Sequence, residues 1–152
     1  DNADSLTCID ENNEMNEQAF KQRTKKLALR VIELIEALPK SRTADVIGRQ
    51  LVRCATSVGA NYRSACRVKS TAHVLAKLAI VEEEADETIY WLELLIEANI
   101  MSASDIENLL KETNEIIAMT VASIKTLGGK MMVSKSVANS PAIQNRKSKI
   151  AG

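Results

Sequence analysis

The helical period of the chain is clearest in residues 43–68, TADVIGRQLVRCATSVGANYRSACRV. Its apolar side chains recur three and four residues apart, which places them on one face of an α-helix. They are Ile47, Leu51, Cys54, Ala55, Val58, Tyr62 and Ala65. Thr43 before Asp45 is typical of a helix N-terminus. There a hydroxyl accepts hydrogen bonds from backbone N–H groups, and a negative charge interacts favourably with the positive end of the helix dipole. We therefore predict a helix here, with one face in a core.

Three other segments have the same period. We predict helices over about residues 14–38, 70–98 and 104–127. The last of them opens with Ser104-Asp105-Ile106-Glu107, the pattern of a capping box, and Gly128-Gly129 is expected to end it. Four long helices with short links between them favour antiparallel neighbours. The predicted fold is all-α, an antiparallel up-down-up-down four-helix bundle.

Both ends of the chain lack this period. Residues 1–14 are acidic, and residues 130–152 are rich in Ser, Asn and Lys. We therefore expect a disordered acidic head and a disordered basic tail around a bundle at residues 15–129. Met15 is a candidate for the natural start of the chain.

Patterns typical of enzymes and metal sites are missing from the sequence. His73 is the single histidine, and no Glu stands three residues before it, so we expect no di-metal centre of the Glu-x-x-His kind. No nucleophile elbow, phosphate-binding loop or dinucleotide-binding motif occurs. Cys54 and Cys66 fall among apolar positions, as buried thiols do. We expect no enzymatic activity, no metal and no cofactor.

The sequence also lacks the marks of membrane proteins. Its apolar runs fall short of the roughly 18 residues that span a bilayer, and residues 1–20 do not resemble a signal peptide. We expect a cytoplasmic protein with no membrane partner.

The net charge is zero, yet the charges are arranged in blocks. Residues 1–20 carry six acids and no base, and residues 21–69 carry twelve bases and three acids. Residues 70–129 carry three bases and eleven acids, and residues 130–152 carry five bases and no acid. Such blocks indicate partners of opposite charge.

The basic block forms a stripe. Helical geometry places four arginines of the second helix within about 80°, opposite its apolar face. These four, with the bases of the first helix that extend the stripe, are the candidate contact residues Arg49, Arg53, Arg63, Arg67, Lys25, Lys26 and Arg30. Three interpretations remain open at this point: a solvated face, a surface that docks the acidic helices of another copy, and a phosphate-binding surface.

Glu82 in the acidic block projects close to the apolar face of its helix and needs a partner, because an unpaired charge at a core edge is costly. The arginines of the second helix are the available cations.

The stretch from Gln50 to Arg63, QLVRCATSVGANYR, resembles the QLxRAxxSVxxN signature of a bacterial four-helix-bundle family, first noticed in intervening sequences of 23S ribosomal RNA genes. The run from Lys77 to Leu95, KLAIVEEEADETIYWLELL, is similar to the third helix of that family. The resemblance covers about residues 17–128. It implies an up-down bundle that assembles into a homopentameric ring. Most members of that family have no known biochemical activity.

The same resemblance assigns roles to particular residues. By position, Arg53, Asn61 and Glu87 match recurring polar residues of the family, which implies polar links between the second and third helices; Glu82 is a further candidate for this link. A distant relative, the accessory variability determinant of diversity-generating retroelements, engages nucleic acid and a reverse transcriptase. We expect a non-enzymatic homo-oligomeric scaffold, with a nucleic-acid-binding accessory factor that partners a reverse transcriptase as the alternative.

Overall fold

The computed structural model describes the backbone of residues 3–139 and the side chains of residues 16–139. Four α-helices make up this part of the chain, and it contains no strand. They are α1 (Ala3–Glu36), α2 (Arg42–Ala65), α3 (Thr71–Glu97) and α4 (Ala103–Ala138). The all-α four-helix bundle predicted from the sequence is confirmed.

Neighbouring helices run in opposite directions, as the contacts between them show. Phe20 stacks edge-on against Tyr62 with ring centroids 4.5 Å apart, and further along α1 the Ile35 side chain lies against Gly48. α1 and α4 are also antiparallel, because Arg23 binds Glu112 while later residues of α1 approach the start of α4. Each helix contacts the next in sequence, and α1 also contacts α4, which is consistent with an up-down-up-down order.

Two glycines let α1 and α2 approach closely. A Cβ atom on Gly59 would lie 3.4 Å from Thr24 Oγ1, and one on Gly48 would lie 3.4 Å from side-chain atoms of Ile35 and Leu38. A Cβ atom at either position would just reach van der Waals contact with α1, so a side chain larger than alanine would press against that helix.

The core runs along the whole bundle. Every helix contributes fully buried aliphatic side chains, among them Leu27, Val31, Leu51, Val58, Val81, Leu92, Leu95, Ile106 and Ile116. Burial of each such side chain stabilises the fold by about 1.5–3 kcal/mol. Four buried threonines satisfy their hydroxyls within their own helices, as Thr113 does by donating to the Leu109 carbonyl oxygen at 2.7 Å. Among the described side chains, no buried polar atom lacks a hydrogen-bond partner.

The helix ends differ in part from the prediction. Ser41, not Thr43, caps α2 by accepting from the Ala44 N–H at 3.1 Å, and Ser70 caps α3 by accepting from the His73 N–H at 3.4 Å. The capping box at Ser104 is wrong, because α4 begins earlier, with Ser102 at the cap position, and the Ser102 hydroxyl donates to Asp105 Oδ2. In α2 and in α4 the serine at the cap position lies two residues before the predicted one, a difference typical of helix limits inferred from local signals.

The outer helices are longer than predicted. α1 begins at Ala3, so residues 3–14, predicted as a disordered head, are helical. No glycine or proline interrupts the segment, and an existing helix adds one hydrogen bond for each residue it gains. α4 continues through Gly128 and Gly129 to Ala138, because neither glycine takes the left-handed conformation that ends a helix. The rest of the predicted tail, 140–152, lies outside the described residues.

The second half of α4 is apolar and largely exposed. An 18-residue window of this helix has a mean hydropathy of 1.3, enough in length and composition for a membrane span, and 11% of it is buried. Thr120 is the last buried residue of the helix. We call residues 121–138 the α4 extension.

Candidate interaction surfaces

Arg53 joins α2 to α3 through two glutamates. Its guanidinium binds Glu87, and its Nη1 lies 3.4 Å from Glu84 Oε2. Trp91 Nε1 donates to the same Glu87 carboxylate at 3.2 Å. The hydrogen bonds that Arg53 and Trp91 donate to Glu87 hold the pKa of that carboxyl below its ordinary value, and the bond that Arg53 donates also raises the pKa of Arg53. We call these residues the Arg53 cluster.

Of the polar link predicted from the sequence, the structure brings Arg53 and Glu87 together, and it places Asn61 and Glu82 elsewhere. Asn61 Nδ2 donates to the Ser57 carbonyl oxygen of its own helix at 2.9 Å. Glu82 lies at the opposite edge of α3, facing α4 beside Ile117, and Glu84 takes the place expected for it. The helical period placed Glu82 at a core edge, but the period does not tell which neighbouring helix lies there.

A second arginine joins α1 to α4, and the sequence interpretation missed it as a link. Arg23 Nε donates to Glu112 Oε1 at 2.6 Å, and Arg23 also binds Glu115. Its Nη1 lies 3.1 Å from Met119 Sδ. These bonds raise the pKa of Arg23, and Arg23 in turn holds the pKa of Glu112 below its ordinary value. We call these residues the Arg23 cluster. The sequence did contain a signal for it, because Glu112 and Glu115 are three residues apart, as Glu84 and Glu87 are.

The predicted basic stripe therefore separates into four parts. Arg53 is bound to α3, and Lys26 and Arg30 lie near enough to Glu112 to lower its pKa further. Arg49 lies in a separate groove near the α1–α2 loop, beside Glu36 and Asp45.

The remaining cations meet in one place, between the outer sides of α1 and α2. They line a groove of about 270 Å³ formed by Gln18, Lys21, Gln22, Lys25, Arg63 and Arg67. Lys21 Nζ lies 2.6 Å from Glu17 Oε1 on the neighbouring turn. No carboxylate of residues 16–139 lies within 4 Å of the cations of Lys25, Arg63 or Arg67. We call this the basic groove.

An acidic groove lies on the other side of the bundle, between α3 and α4. It has a volume of about 300 Å³ and is lined by Ala79, Glu82, Glu83, Asp86 and Ile117. Because α1–α2 and α3–α4 are opposite sides of a four-helix bundle with contacts in chain order, the two grooves face away from each other.

Residues with other chemistry do not form a site in the described part of the chain. Residues 16–139 contain no group of three or more His, Cys, Asp or Glu side chains placed to hold a metal ion. His73 is exposed, Cys54 is buried and Cys66 is half-buried. Burial raises the pKa of both thiols, which disfavours the reactive thiolate. Cys8 lies outside the described side chains.

Comparison with known proteins identifies the family. No curated protein matches the chain. A crystal structure of a protein of unknown function from the S23 ribosomal protein family of Bacteroides thetaiotaomicron is similar, with 33% identity and a TM-score of 0.67. The match covers 72% of this chain and 97% of that one. Residues 16–122 match the family described as 23S rRNA-intervening sequence protein, and the chain, as the resemblance of its second and third helices predicted, belongs to that family.

Proposed function

We propose that this protein is a non-enzymatic assembly protein whose copies associate head to tail. The surface around the basic groove of one copy packs against the surface around the acidic groove of the next. The observation that carries the proposal is the placement of the two grooves, of similar volume and opposite charge, on opposite sides of one bundle. A head-to-tail contact of this kind repeats, and it forms a closed ring when the rotation between copies permits. Five copies is the number that the family resemblance implies.

The charges of the two grooves favour this contact over self-contact of either groove. Lys25, Arg63 and Arg67 have no carboxylate partner among residues 16–139, and they match the number of acids across the bundle, Glu82, Glu83 and Asp86. Single exposed ion pairs contribute about 0–1 kcal/mol, so several must act together. Like charges placed opposite each other cost several kcal/mol, which gives the contact its direction.

The test is a charge exchange followed by light scattering on a sizing column. Arg63→Glu with Arg67→Glu, and separately Glu83→Arg with Asp86→Arg, should each reduce the mass to that of smaller species. An equimolar mixture of the two variants should regain a larger mass, because the unaltered acidic groove of one variant meets the unaltered basic groove of the other, and the two exchanged grooves are also opposite in charge. Arg49→Glu is the matched control, since this arginine shares the α2 stripe but lies outside the groove. A single-copy mass for the unaltered protein at low salt would contradict the proposal.

A second candidate, binding of nucleic acid through phosphates, is favoured by one feature of the same groove. Two glutamines stand among its four cations, and amide groups donate hydrogen bonds to phosphate oxygens as cations do. Binding of this kind is insensitive to base sequence and weakens with salt, with a log–log slope of roughly −0.9 per phosphate on duplex DNA. A gel-shift titration decides between the two: binding that Arg63→Glu with Arg67→Glu abolishes, in a protein whose mass these changes leave intact, would favour nucleic acid. A reverse transcriptase partner remains a prediction of the resemblance alone.

A further inference from the structure

Two exposed aliphatic side chains of α1 lie directly beside the basic groove. Leu29 is 53% exposed and Ile32 is 40% exposed. At 100° per residue, both fall within an arc of about 80° that also contains Gln22 and Lys25, which line the groove. The outer face of α1 therefore carries a base and, about one turn later, apolar side chains. We call Leu29 and Ile32 the apolar pair.

The outer face of α3 has the same arrangement with the opposite charge. Glu83 and Asp86 of the acidic groove share an arc of about 60° with Tyr90, which is 53% exposed. Here too a charged residue precedes an exposed apolar side chain by four positions. The Tyr90 ring contacts the Trp91 ring edge to face, with centroids 5.2 Å apart, so the tyrosine is held in place before a partner binds. Such ordering lowers the entropy cost of binding.

Contacts between α1 and α2 show which of their residues lie at the same height along the bundle. A Cβ atom on Gly59 would lie 3.4 Å from Thr24 Oγ1, so these two residues are level with each other. The two helices are antiparallel. Five residues later on α1 and five residues earlier on α2, Leu29 is therefore level with Cys54.

Cys54 in turn gives the height of Tyr90. Thr88 Oγ1 lies 3.2 Å from Cys54 Sγ, so Thr88 is level with Leu29 as well. α3 runs in the same direction as α1, because both are antiparallel to α2. Tyr90 is two residues beyond Thr88 and lies about 3 Å further along the bundle than Leu29. Its height therefore falls between the heights of the two residues of the apolar pair.

Equal height is what a closed ring requires. α1 and α3 are diagonal in the bundle, so their outer faces point away from each other. When copies are related by rotation about an axis parallel to the bundles, surfaces that meet must have the same height, and a difference in height would give an open helical assembly. By the same measure, Lys25 falls between Glu83 and Asp86. The charges are therefore aligned whenever the apolar side chains are.

The flanking charges favour a second copy over other partners. Glu83 and Asp86 beside Tyr90 would repel the phosphates of nucleic acid and of anionic lipids, which disfavours stacking on a base or insertion into such a membrane. Lys25 beside the apolar pair has the complementary sign. Tyrosine is also among the residue types that most often carry the binding energy of protein interfaces.

We propose that the apolar pair of one copy packs around Tyr90 of the next copy and forms the apolar centre of the contact, with the charged grooves at its rim. The inference rests on the proposed head-to-tail assembly and names the residues that carry most of its binding energy. Salt screens the exposed charges at the rim and leaves the apolar centre in place.

Disulfide trapping tests whether the two surfaces meet. Leu29→Cys and Tyr90→Cys are placed in separate chains, each with Cys8→Ser and Cys66→Ser so that other accessible thiols do not react. An equimolar mixture oxidised with diamide at low salt should give a covalent two-chain product, because the paired Cα atoms come within the range of a disulfide. Neither variant alone should give it, since like positions do not meet in a head-to-tail contact.

Val46→Cys, used in place of Leu29→Cys, is the matched control. This valine of α2 is also 53% exposed but lies on neither outer face, so it should give no product with Tyr90→Cys. Equal trapping of the two positions would mean that the reaction reports random collision, and it would overturn the proposal.

Substitutions at the same residues test how much the contact contributes. In sedimentation equilibrium, Tyr90→Ala should weaken association about tenfold or more, and Leu29→Ser with Ile32→Ser should do the same. Tyr90→Phe should associate like the unaltered protein, because the contact is apolar. Val46→Ala should have no effect. Circular dichroism should show that all these variants are folded, since the altered side chains are exposed.

The outcomes separate this inference from the assembly on which it rests. If the unaltered protein is assembled but the mixed disulfide does not form, the apolar centre is wrong and the charged contact stands. A product that forms although charge exchange in the grooves leaves the mass unchanged would support the apolar centre and contradict the role of the grooves. A product from either cysteine variant alone would indicate a two-fold contact and overturn both proposals.

Discussion

Arg23 and Arg53 each bind two glutamates of a facing helix, yet the two clusters lie at interfaces of different size. In both clusters the glutamates are three residues apart on one helix. Beneath the Arg53 cluster, α2 and α3 share buried contacts such as Thr88 Oγ1 with Cys54 Sγ at 3.2 Å. α1 and α4, by contrast, share a smaller interface than any two helices that follow each other in the sequence. The same arrangement of side chains therefore provides a larger part of the contact at α1–α4.

Removal of Arg23 should have the largest effect on stability. The Arg23 side chain is 32% exposed, against 49% for Arg53. Arg23→Ala should cost about 1–2 kcal/mol, more than an exposed ion pair and less than a buried one, because both glutamates lose their partner. Thermal unfolding followed by circular dichroism should show a Tm lower by about 2–8 °C.

Arg23→Lys is the informative companion variant. It keeps the charge but loses the planar fork that reaches two carboxylates, so its Tm should lie between those of the unaltered protein and Arg23→Ala. A Tm for Arg23→Ala equal to that of the unaltered protein would mean that the α1–α4 seam is held by apolar contacts alone.

Acid should also weaken the interface between α1 and α4. The pKa of Glu112 is lower in the folded protein than its ordinary value of 4.5, so the unfolded chain binds more protons around that pH. The stabilisation is present above pH 4.5 and is lost as the pH falls through the lower, folded value. Urea unfolding at a series of pH values should show this loss, and Glu112→Gln should reduce its slope. An unchanged slope would assign the acid sensitivity to other carboxylates.

The fold followed from the sequence because core positions report their period directly. Leu51, Cys54 and Val58 are all fully buried, as the spacing in residues 43–68 predicted. The helix ends were harder to predict. Residues that can cap a helix lie within two positions of each other at the starts of α2 and α4, and Gly128 and Gly129 are compatible with a helix interior. Local signals fix the type of an element better than its limits.

The candidate sites were predicted less completely, for a geometric reason. A helical period assigns a side chain to a face, but contacts depend on which neighbour lies on that side. Arg53 and Arg63 belong to one stripe of α2, yet Arg53 leans toward α3 and binds Glu87, while Arg63 leans toward α1 and lines the basic groove. The Arg23 cluster joins residues about 90 positions apart, a distance that periodicity does not bridge.

Arg53→Ala should destabilise the protein less than Arg23→Ala. The arginine is half-exposed, so solvent already screens its bonds, and the buried contacts of α2 with α3 remain when it is removed. A modest fall in Tm is expected, with Arg49→Ala as a control that leaves Tm unchanged because this arginine lies outside the cluster. If Arg53→Ala proves the more damaging of the two arginine variants, the ranking of the two interfaces is wrong.

The smallest expected effect is a shift in the titration of Glu87, read through Trp91. Trp91 is the single tryptophan, and its Nε1 donates to the Glu87 carboxylate, so protonation of that carboxylate should change the indole emission. Arg53 is the largest cause of the lowered pKa of Glu87, and Trp91 itself is the second. The emission should therefore change at a pH below 4.5 in the unaltered protein, and Arg53→Ala should move the midpoint upward, toward 4.5. Arg23→Ala and Arg49→Ala should leave the midpoint in place, because neither arginine contacts Glu87. A midpoint that moves with Arg23→Ala would mean that the two clusters titrate as one system, and the separation of the α1–α4 and α2–α3 interfaces would fail.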